Sequence, residues 1–89
     1  MTENEQLIEQ LRDMARSNHT VSQLLRFLVV DQGIEDQLRL MELFRDAFKV
    51  PLGSLTAIAA WWHEGERELD DEAINSYIGY VINDFLALH

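Results

Sequence analysis

The chain has 89 residues, of which 47% are hydrophobic and 26% are charged. This length fits one small domain, and the hydrophobic fraction is too high for a disordered tail. Sixteen acidic residues against seven basic ones give a formal net charge of −9 at pH 7. Because such a surface repels phosphate groups, we expect direct binding neither to nucleic acid nor to a membrane. The absence of cysteine excludes disulfides, thiolate catalysis and the usual zinc sites.

Residues 1–5 have neither the basic start nor the apolar stretch of a signal peptide. The longest run without a charged residue or a histidine is residues 50–62, thirteen residues that include Pro51 and Gly53. This run is too short to span a bilayer. We therefore expect a cytoplasmic protein.

Two helices are predicted in the first third of the chain. Residues 2–5 match a capping box for the first helix, and residues 17–20 form the predicted turn after it. Its apolar stripe consists of Leu7, Ile8, Leu11, Met14 and Ala15. A second helix is predicted over residues 21–31, with Arg26 as its one internal charge and Gly33 ending it in a left-handed conformation. Its wide apolar surface indicates a central position.

A third and a fourth helix are predicted on either side of Pro51. The third covers residues 35–48 and ends before the proline, because the residue preceding a proline disfavours helix. Its main stripe consists of Leu38, Met41, Phe44 and Phe48. Ser54 is expected to cap the fourth helix, residues 55–62, which ends before Gly65. The residues expected to face inward from it are Leu55, Ile58, Ala59 and Trp62.

The strongest helical pattern lies at the end of the chain. Asp70 or Asp71 is expected to cap this helix. Its stripe advances in steps of three and four residues through Ile74, Tyr77, Ile78, Val81, Ile82, Phe85 and Leu86. No segment shows the alternation of a strand. The sequence therefore predicts an all-α fold, a compact bundle of four or five short helices that forms a single domain over residues 1–89.

Residues 64–72 contain six acids and one base. Capping of the last helix explains Asp70 and Asp71, but it does not explain Glu64, Glu66 and Glu68. These three form either a solvated loop or a docking surface for a basic partner. The run lacks the register of a calcium loop, so we expect no metal.

Two adjacent tryptophans precede the acidic run. On a helix their side chains point about 100° apart, so Trp62 is expected in the core and Trp61 at its edge, partly exposed. Tryptophan is enriched among the residues that dominate protein interfaces. The predicted partner-binding residues are Trp61, Glu64, Glu66, Glu68, Asp70 and Asp71.

No arrangement of residues predicts catalysis. His19, His63 and His89 fall in a turn, at a helix end and at the C-terminus, away from any nucleophile. The setting of Ser54 is explained by helix capping, whereas a hydrolase needs a hydroxyl activated by a neighbouring base. We expect no enzymatic activity and no cofactor.

Gly79 lies within the last predicted helix, where glycine is unfavourable relative to alanine. Ser76, Gly79 and Asn83 share a helix face and form a shallow notch that can accept an aromatic ring. The ring would come from Trp62 of the same chain or from a partner.

Residues 44–52, followed by Ile58, Trp61 or Trp62, and residues 68–74 resemble small acidic bacterial proteins of the toxin-immunity type. This resemblance implies an inhibitor that binds a cognate toxin. Acyl carrier proteins are similarly short, acidic and helical, and carry their prosthetic group on the Ser of an Asp-Ser-Leu motif. Here Gly53 replaces the aspartate before Ser54, which argues against a carrier.

Two classes of function remain. In the first, an immunity-like or phage-type anti-defence inhibitor blocks a basic toxin, such as a nuclease, or another nucleic-acid-binding effector by occlusion. In the second, a structural or adaptor domain acts through homo-oligomerisation, for example as a homodimer. A salt-sensitive complex with one basic protein would identify the first class, and a stable oligomer of the chain alone would identify the second.

Overall fold

The computed structural model describes residues 3–62, 64 and 68–88, which fold into five helices and contain no β-strand. Their bounds are Glu3–Arg16 for α1, Val21–Arg26 for α2, Gln37–Phe48 for α3, Leu52–Ala60 for a 3₁₀ helix and Asp71–Leu88 for α4; α2 continues as a π-helix over Phe27–Asp31. The radius of gyration, 11.8 Å, is close to the value of about 12 Å for a folded domain of this length. The predicted all-α fold is confirmed.

Helices α1 and α3 run parallel. Near their starts the guanidinium of Arg39 donates a hydrogen bond to the side-chain oxygen of Asn4. Further along, Arg12 Nε donates to the carbonyl oxygen of Ala47 at 2.7 Å. Because the contact partners advance together along both helices, the starts of α1 and α3 lie at the same end of the molecule.

Helix α2 runs antiparallel to α4. The backbone N–H of Ser22, at the start of α2, donates to Oδ1 of Asn75 at 2.8 Å. Arg26, one turn later in α2, contacts Asp71, one turn earlier in α4. The end of α2 therefore lies beside the start of α4.

Helices α3 and α4 are joined at both ends. At their starts Gln37 donates to the carbonyl oxygen of Trp61 at 3.2 Å, and the Trp61 indole donates to Asp71 at 2.9 Å. At their ends the rings of Phe48 and Phe85 pack edge to face, 5.2 Å between centroids. Three helices, α1, α3 and α4, thus begin at one end of the molecule.

Most predicted stripes form the core. In α1, Leu7, Leu11 and Ala15 are buried, while Ile8 and Met14 pack against the core at its edge. The predicted end of the second helix is also confirmed, because Gly33 adopts a left-handed φ of 71°. The buried residues of α3 and α4 are Leu40, Met41, Leu43, Phe44, Ala47, Phe48, Ile74, Ile78, Val81, Ile82 and Phe85.

The prediction for the fourth helix is wrong in type and bounds. The segment is a 3₁₀ helix that begins at Leu52, after Pro51, and Ser54 lies inside it rather than capping it. Residues three apart eclipse in a 3₁₀ helix. The larger residues that face the core accordingly follow a spacing of three: Leu52, Leu55, Ile58 and then Trp61. The small Ala57 also packs against the core, whereas Ala59, expected to face inward, is exposed.

Several residues predicted to face inward are exposed. Helix α3 begins at Gln37, with Asp36 as its cap, so that Leu38 lies in the first turn and is 53% exposed. Tyr77 is 64% exposed, and Leu86 lies at the rim of the core. Each lies beside the stripe rather than on it, because the neighbouring helices cover a narrower face than the sequence pattern indicates.

The stability of the fold should depend strongly on the buried stripe of α4. We expect Ile78→Ala to lower the free energy of unfolding by about 2–5 kcal/mol, since it leaves a cavity in a packed core. Tyr77→Ala, at the exposed neighbouring position, provides the control. It should change the free energy of unfolding by about 0.5 kcal/mol. Chemical denaturation measures both, and equal midpoints for the two variants would contradict the packing of α4.

Candidate functional site: an acidic end above a buried tryptophan

Trp61 is fully buried, with 0% of its surface exposed, and Trp62 is half-buried. The expectation that Trp61 is partly exposed and Trp62 is in the core is therefore wrong. The reason is local, because the 3₁₀ helix ends at Ala60 and Trp61 has an extended backbone with φ −113° and ψ 146°. In an extended chain successive side chains point to opposite sides, so when Trp61 enters the core Trp62 points outward.

The N–H of the buried Trp61 indole has its hydrogen-bond acceptor in Asp71. Its Nε1 donates to Oδ1 of Asp71 at 2.9 Å. Nε and Nη2 of Arg26 donate to the other carboxylate oxygen at 3.0 and 2.8 Å, and the guanidinium lies 5.8 Å from the centre of the indole ring. Asp71, predicted to bind a partner, is thus engaged in internal contacts with both oxygens.

Asp70 caps α4. Its Oδ1 accepts a hydrogen bond from the backbone N–H of Ala73 at 2.8 Å, which confirms the capping prediction for Asp70 rather than for Asp71. The side chain of Asp70 is exposed, as is that of Glu72 in the first turn. Both carboxylates lie near the positive end of the helix dipole.

The other predicted acids lie on the segment that leads to this cap. Glu64 and Glu68 are exposed, whereas Glu66, His63 and Gly65 lie outside the described residues. The backbone N–H of Leu69 donates to the carbonyl oxygen of Ala60 at 2.9 Å. This bond returns the chain to the end of the 3₁₀ helix and brings Glu68 close to Asp70.

Trp62 lies among these charges. It lines a shallow pocket of about 260 Å³ together with Arg26, Asp70, Asp71 and Glu72. An aromatic surface bordered by carboxylates is therefore present, but it is formed by Trp62 and not by Trp61.

A second group of acids at the same end was not predicted. Asp31, the last residue of the π-helix, is exposed, as are Glu35 and Asp36 in the connection that follows. Asp36 caps α3 by accepting from the N–H of Leu38 at 3.0 Å. Since Gln37 bonds to the carbonyl oxygens of Ala59 and Trp61, this connection lies beside the start of α4. The sequence feature that could have predicted this group is the presence of three acids within six residues.

We call these exposed carboxylates together the acidic end. They surround the starts of α3 and α4, and they come from two segments far apart in the sequence. The acidic end comprises Asp31, Glu35, Asp36, Glu64, Glu68, Asp70 and Glu72.

Cations gather at the opposite end, where α3 and α4 finish. Arg12, Arg16 and Lys49 surround Phe85, and the two guanidinium carbons lie 6.0 and 5.6 Å from the centre of its ring. Nearby, the hydrogen bond and the charge of Asp46 raise the pKa of Arg45. Positive side chains near helix C-termini are favourable. Since Arg12, Arg16 and Arg45 pair with the carboxylates of Glu9, Asp13 and Asp46, this end is closer to neutral than the acidic end.

The described residues hold no group of three or more His, Asp or Glu side chains placed to bind a metal ion. His19 bonds through Nδ1 to the carbonyl oxygen of Met14 at 2.9 Å, which fixes the turn after α1. No described helix is both long enough and apolar enough to cross a membrane. No family model, curated protein or solved structure matches the chain.

The hydrogen bond between Asp71 and Trp61 should contribute strongly to the stability of the protein at the acidic end. We expect Asp71→Ala to lower the free energy of unfolding by about 1–3 kcal/mol, because it leaves a buried indole N–H without an acceptor. Asp71→Asn keeps an acceptor and removes only a partly exposed ion pair, so its cost should be at most about 1 kcal/mol.

Urea denaturation of the two variants, with the exposed Glu68→Ala as control, tests this prediction. If Asp71→Ala unfolds at the same urea concentration as Glu68→Ala, the indole N–H does not depend on Asp71.

Proposed function

We propose that this protein is a small acidic inhibitor, similar in action to an immunity protein, that binds a basic protein in the cytoplasm through its acidic end. The observation that carries the proposal is the gathering of exposed carboxylates from two distant segments at one end of the molecule, while Arg12, Arg16 and Lys49 lie at the other. The inhibitor blocks its partner by occlusion and performs no chemistry.

Stability of the fold does not require all of these acids. Asp36 and Asp70 each cap a helix, and Glu72 lies in the first turn of α4. Helix capping does not account for Asp31 or Glu68. Like charges held close together repel one another, and a basic partner removes that repulsion when it binds.

The uneven distribution of charge along the molecule also favours this proposal. A one-signed surface steers an oppositely charged partner toward itself and raises the association rate. The cations at the far end keep the molecule from presenting a uniform negative surface, so a basic partner is oriented toward the acidic end as it approaches.

Trp62 supplies the apolar contact at this surface. Its half-buried ring lies beside the carboxylates of Asp70 and Glu72. Aromatic anchors at the centre of an interface mainly slow dissociation, whereas rim charges mainly change the association rate. Trp61 has no such role in the proposal, because it is buried in the core.

Charge reversal tests the acidic end. The partner is first isolated by affinity capture from the source cells with the parent protein as bait, and its binding is then measured by surface plasmon resonance at two salt concentrations. We expect reversal of Glu64, Glu66 and Glu68 to Lys to slow association and to flatten its dependence on salt.

The control variant carries the same change in net charge away from the acidic end, at Glu9, Glu42 and Asp84, which are exposed on α1, α3 and α4. Circular dichroism confirms that both variants remain helical. If the two triple variants associate equally fast, the acidic end is not the docking surface and only net charge matters.

Trp62→Ala tests the aromatic contact in the same assay. We expect faster dissociation, equivalent to about 2 kcal/mol, with an association rate close to that of the parent. Loss of the exposed Tyr80 ring on α4 serves as the control. An unchanged dissociation rate for Trp62→Ala would place the apolar contact elsewhere.

A separate observation favours the adaptor alternative. Tyr77, Tyr80 and Leu88 are exposed along one face of α4, and such a face could join two copies of the chain into a homodimer. Analytical ultracentrifugation distinguishes the two functions, since the inhibitor sediments as a monomer and the adaptor as a dimer that Tyr77→Ala weakens. A toxin and an anti-defence target are then told apart by the identity of the captured basic protein.

A further inference from the structure

A groove lies between the turn that follows α1 and the middle of α4. Its volume is about 220 Å³, which is below the range of about 300–1,000 Å³ for drug-sized ligands. The space therefore suits a single ring or a single side chain. Its floor is apolar, because Ala15, Val21 and Ile82 are buried core residues that reach its surface.

None of the described Asp, Glu, Lys or Arg residues lines this groove. The surface elsewhere is strongly charged, since charged residues make up 26% of the chain. An ion would gain no charged partner inside the groove, so the lining favours an uncharged occupant.

The rim of the groove provides polar groups in fixed positions. Nδ1 of His19 lies 2.9 Å from the carbonyl oxygen of Met14; since a carbonyl only accepts, Nδ1 carries the proton and Nε2 of the neutral ring is an acceptor. Asn75 is held by two hydrogen bonds to Ser22, at 2.8 and 3.1 Å. Asn83 adds an amide that both donates and accepts at the solvent side.

Gly79 lies in the wall of the groove, and packing does not explain its presence. A Cβ added at this position would meet nothing within 4 Å, so the fold has space for a larger residue. Glycine in a helix interior lowers stability relative to alanine. A side chain at position 79 would extend into the open space that Gly79 lines.

No phenylalanine, tyrosine or tryptophan among the described residues lines the groove. Trp62, whose ring was expected to enter the notch beside Gly79, lines the pocket at the acidic end instead. Tyr77 and Tyr80 are exposed on another face of α4. Apart from the imidazole of His19, no described aromatic side chain lines the groove.

We propose that this groove binds the side chain of a tryptophan or tyrosine presented by another protein chain. The ring would lie on the apolar floor beside Gly79, and its N–H or O–H would donate to Nε2 of His19 or to the amide oxygen of Asn83. The proposal does not depend on the proposed function, because model compounds test it without a partner.

The test is a titration followed by the backbone amide signals in two-dimensional ¹H–¹⁵N spectra. The probes are N-acetyl-tryptophanamide and N-acetyl-tyrosinamide, with N-acetyl-leucinamide as an apolar compound without a ring. We expect saturable shifts around residues 18–21 and 75–86 with the two aromatic probes and at least tenfold weaker binding of the leucine derivative.

Four variants accompany the titration. Gly79→Leu should fill the groove and abolish the shifts, while Gly53→Leu, at an exposed glycine with equally open space, should leave them unchanged. Asn83→Ala should weaken binding roughly fivefold through the loss of one hydrogen bond. Gly79→Ala provides a readout without ligand, since it should raise the melting temperature if the space above Gly79 is open.

Three results would overturn the proposal. They are the absence of saturable shifts with either aromatic probe, equal shifts in Gly79→Leu and the parent, and binding of free indole without binding of N-acetyl-tryptophanamide. The last result would show that the groove takes a free small molecule and excludes a side chain attached to a backbone.

Discussion

The relative placement of the helices in this protein depends on the contacts of Trp61. The indole packs in the core, and its Nε1 donates to Asp71 at the start of α4. The backbone carbonyl oxygen of Trp61 accepts from Gln37 at the start of α3. Through Asp71 the indole also reaches Arg26 of α2. The backbone and the side chain of one buried residue thereby hold the starts of α3 and α4 beside each other, and the acidic end exists because those two starts coincide.

Because α3 and α4 are parallel, their helix dipoles point in the same direction. The charged residues at the helix ends fit that direction. The starts of these helices carry partial positive charge and their ends carry partial negative charge. Asp36 and Asp70 cap the starts, whereas Arg12 donates to the last carbonyls of α3. Helix dipoles favour this division of charge, but they account for only one or two carboxylates at each helix start. The remaining acids, such as Glu68, have no such role and are the ones most readily assigned to a partner.

Sequence patterns predicted the helices better than they predicted the site. The stripes of α1 and α4 follow helical spacing, which neighbouring helices must cover, and Gly33 ends α2 because a left-handed residue is required there. The burial predicted for Trp61 and Trp62 was the reverse of that observed. The prediction extended a regular helix to Trp62, whereas the chain becomes extended after Ala60. The spacing of three from Leu52 to Trp61 was the signal that a 3₁₀ helix carries. The contribution of Asp31, Glu35 and Asp36 depends on tertiary contacts that no local pattern contains.

Helix α4 carries both a stripe that holds it to the core and surfaces at which we propose binding. Its buried stripe, centred on Ile78, holds it to the core, and its first turn carries the carboxylates of the acidic end. Gly79, beside that stripe, has space for a methyl group that would favour the helix. Local choices that oppose stability are expected where a site requires them. The clustered acids and the mid-helix glycine are both such choices, and each lies at an open surface rather than in the core. The core therefore explains the fold, and these two departures from it mark the surfaces at which we place binding.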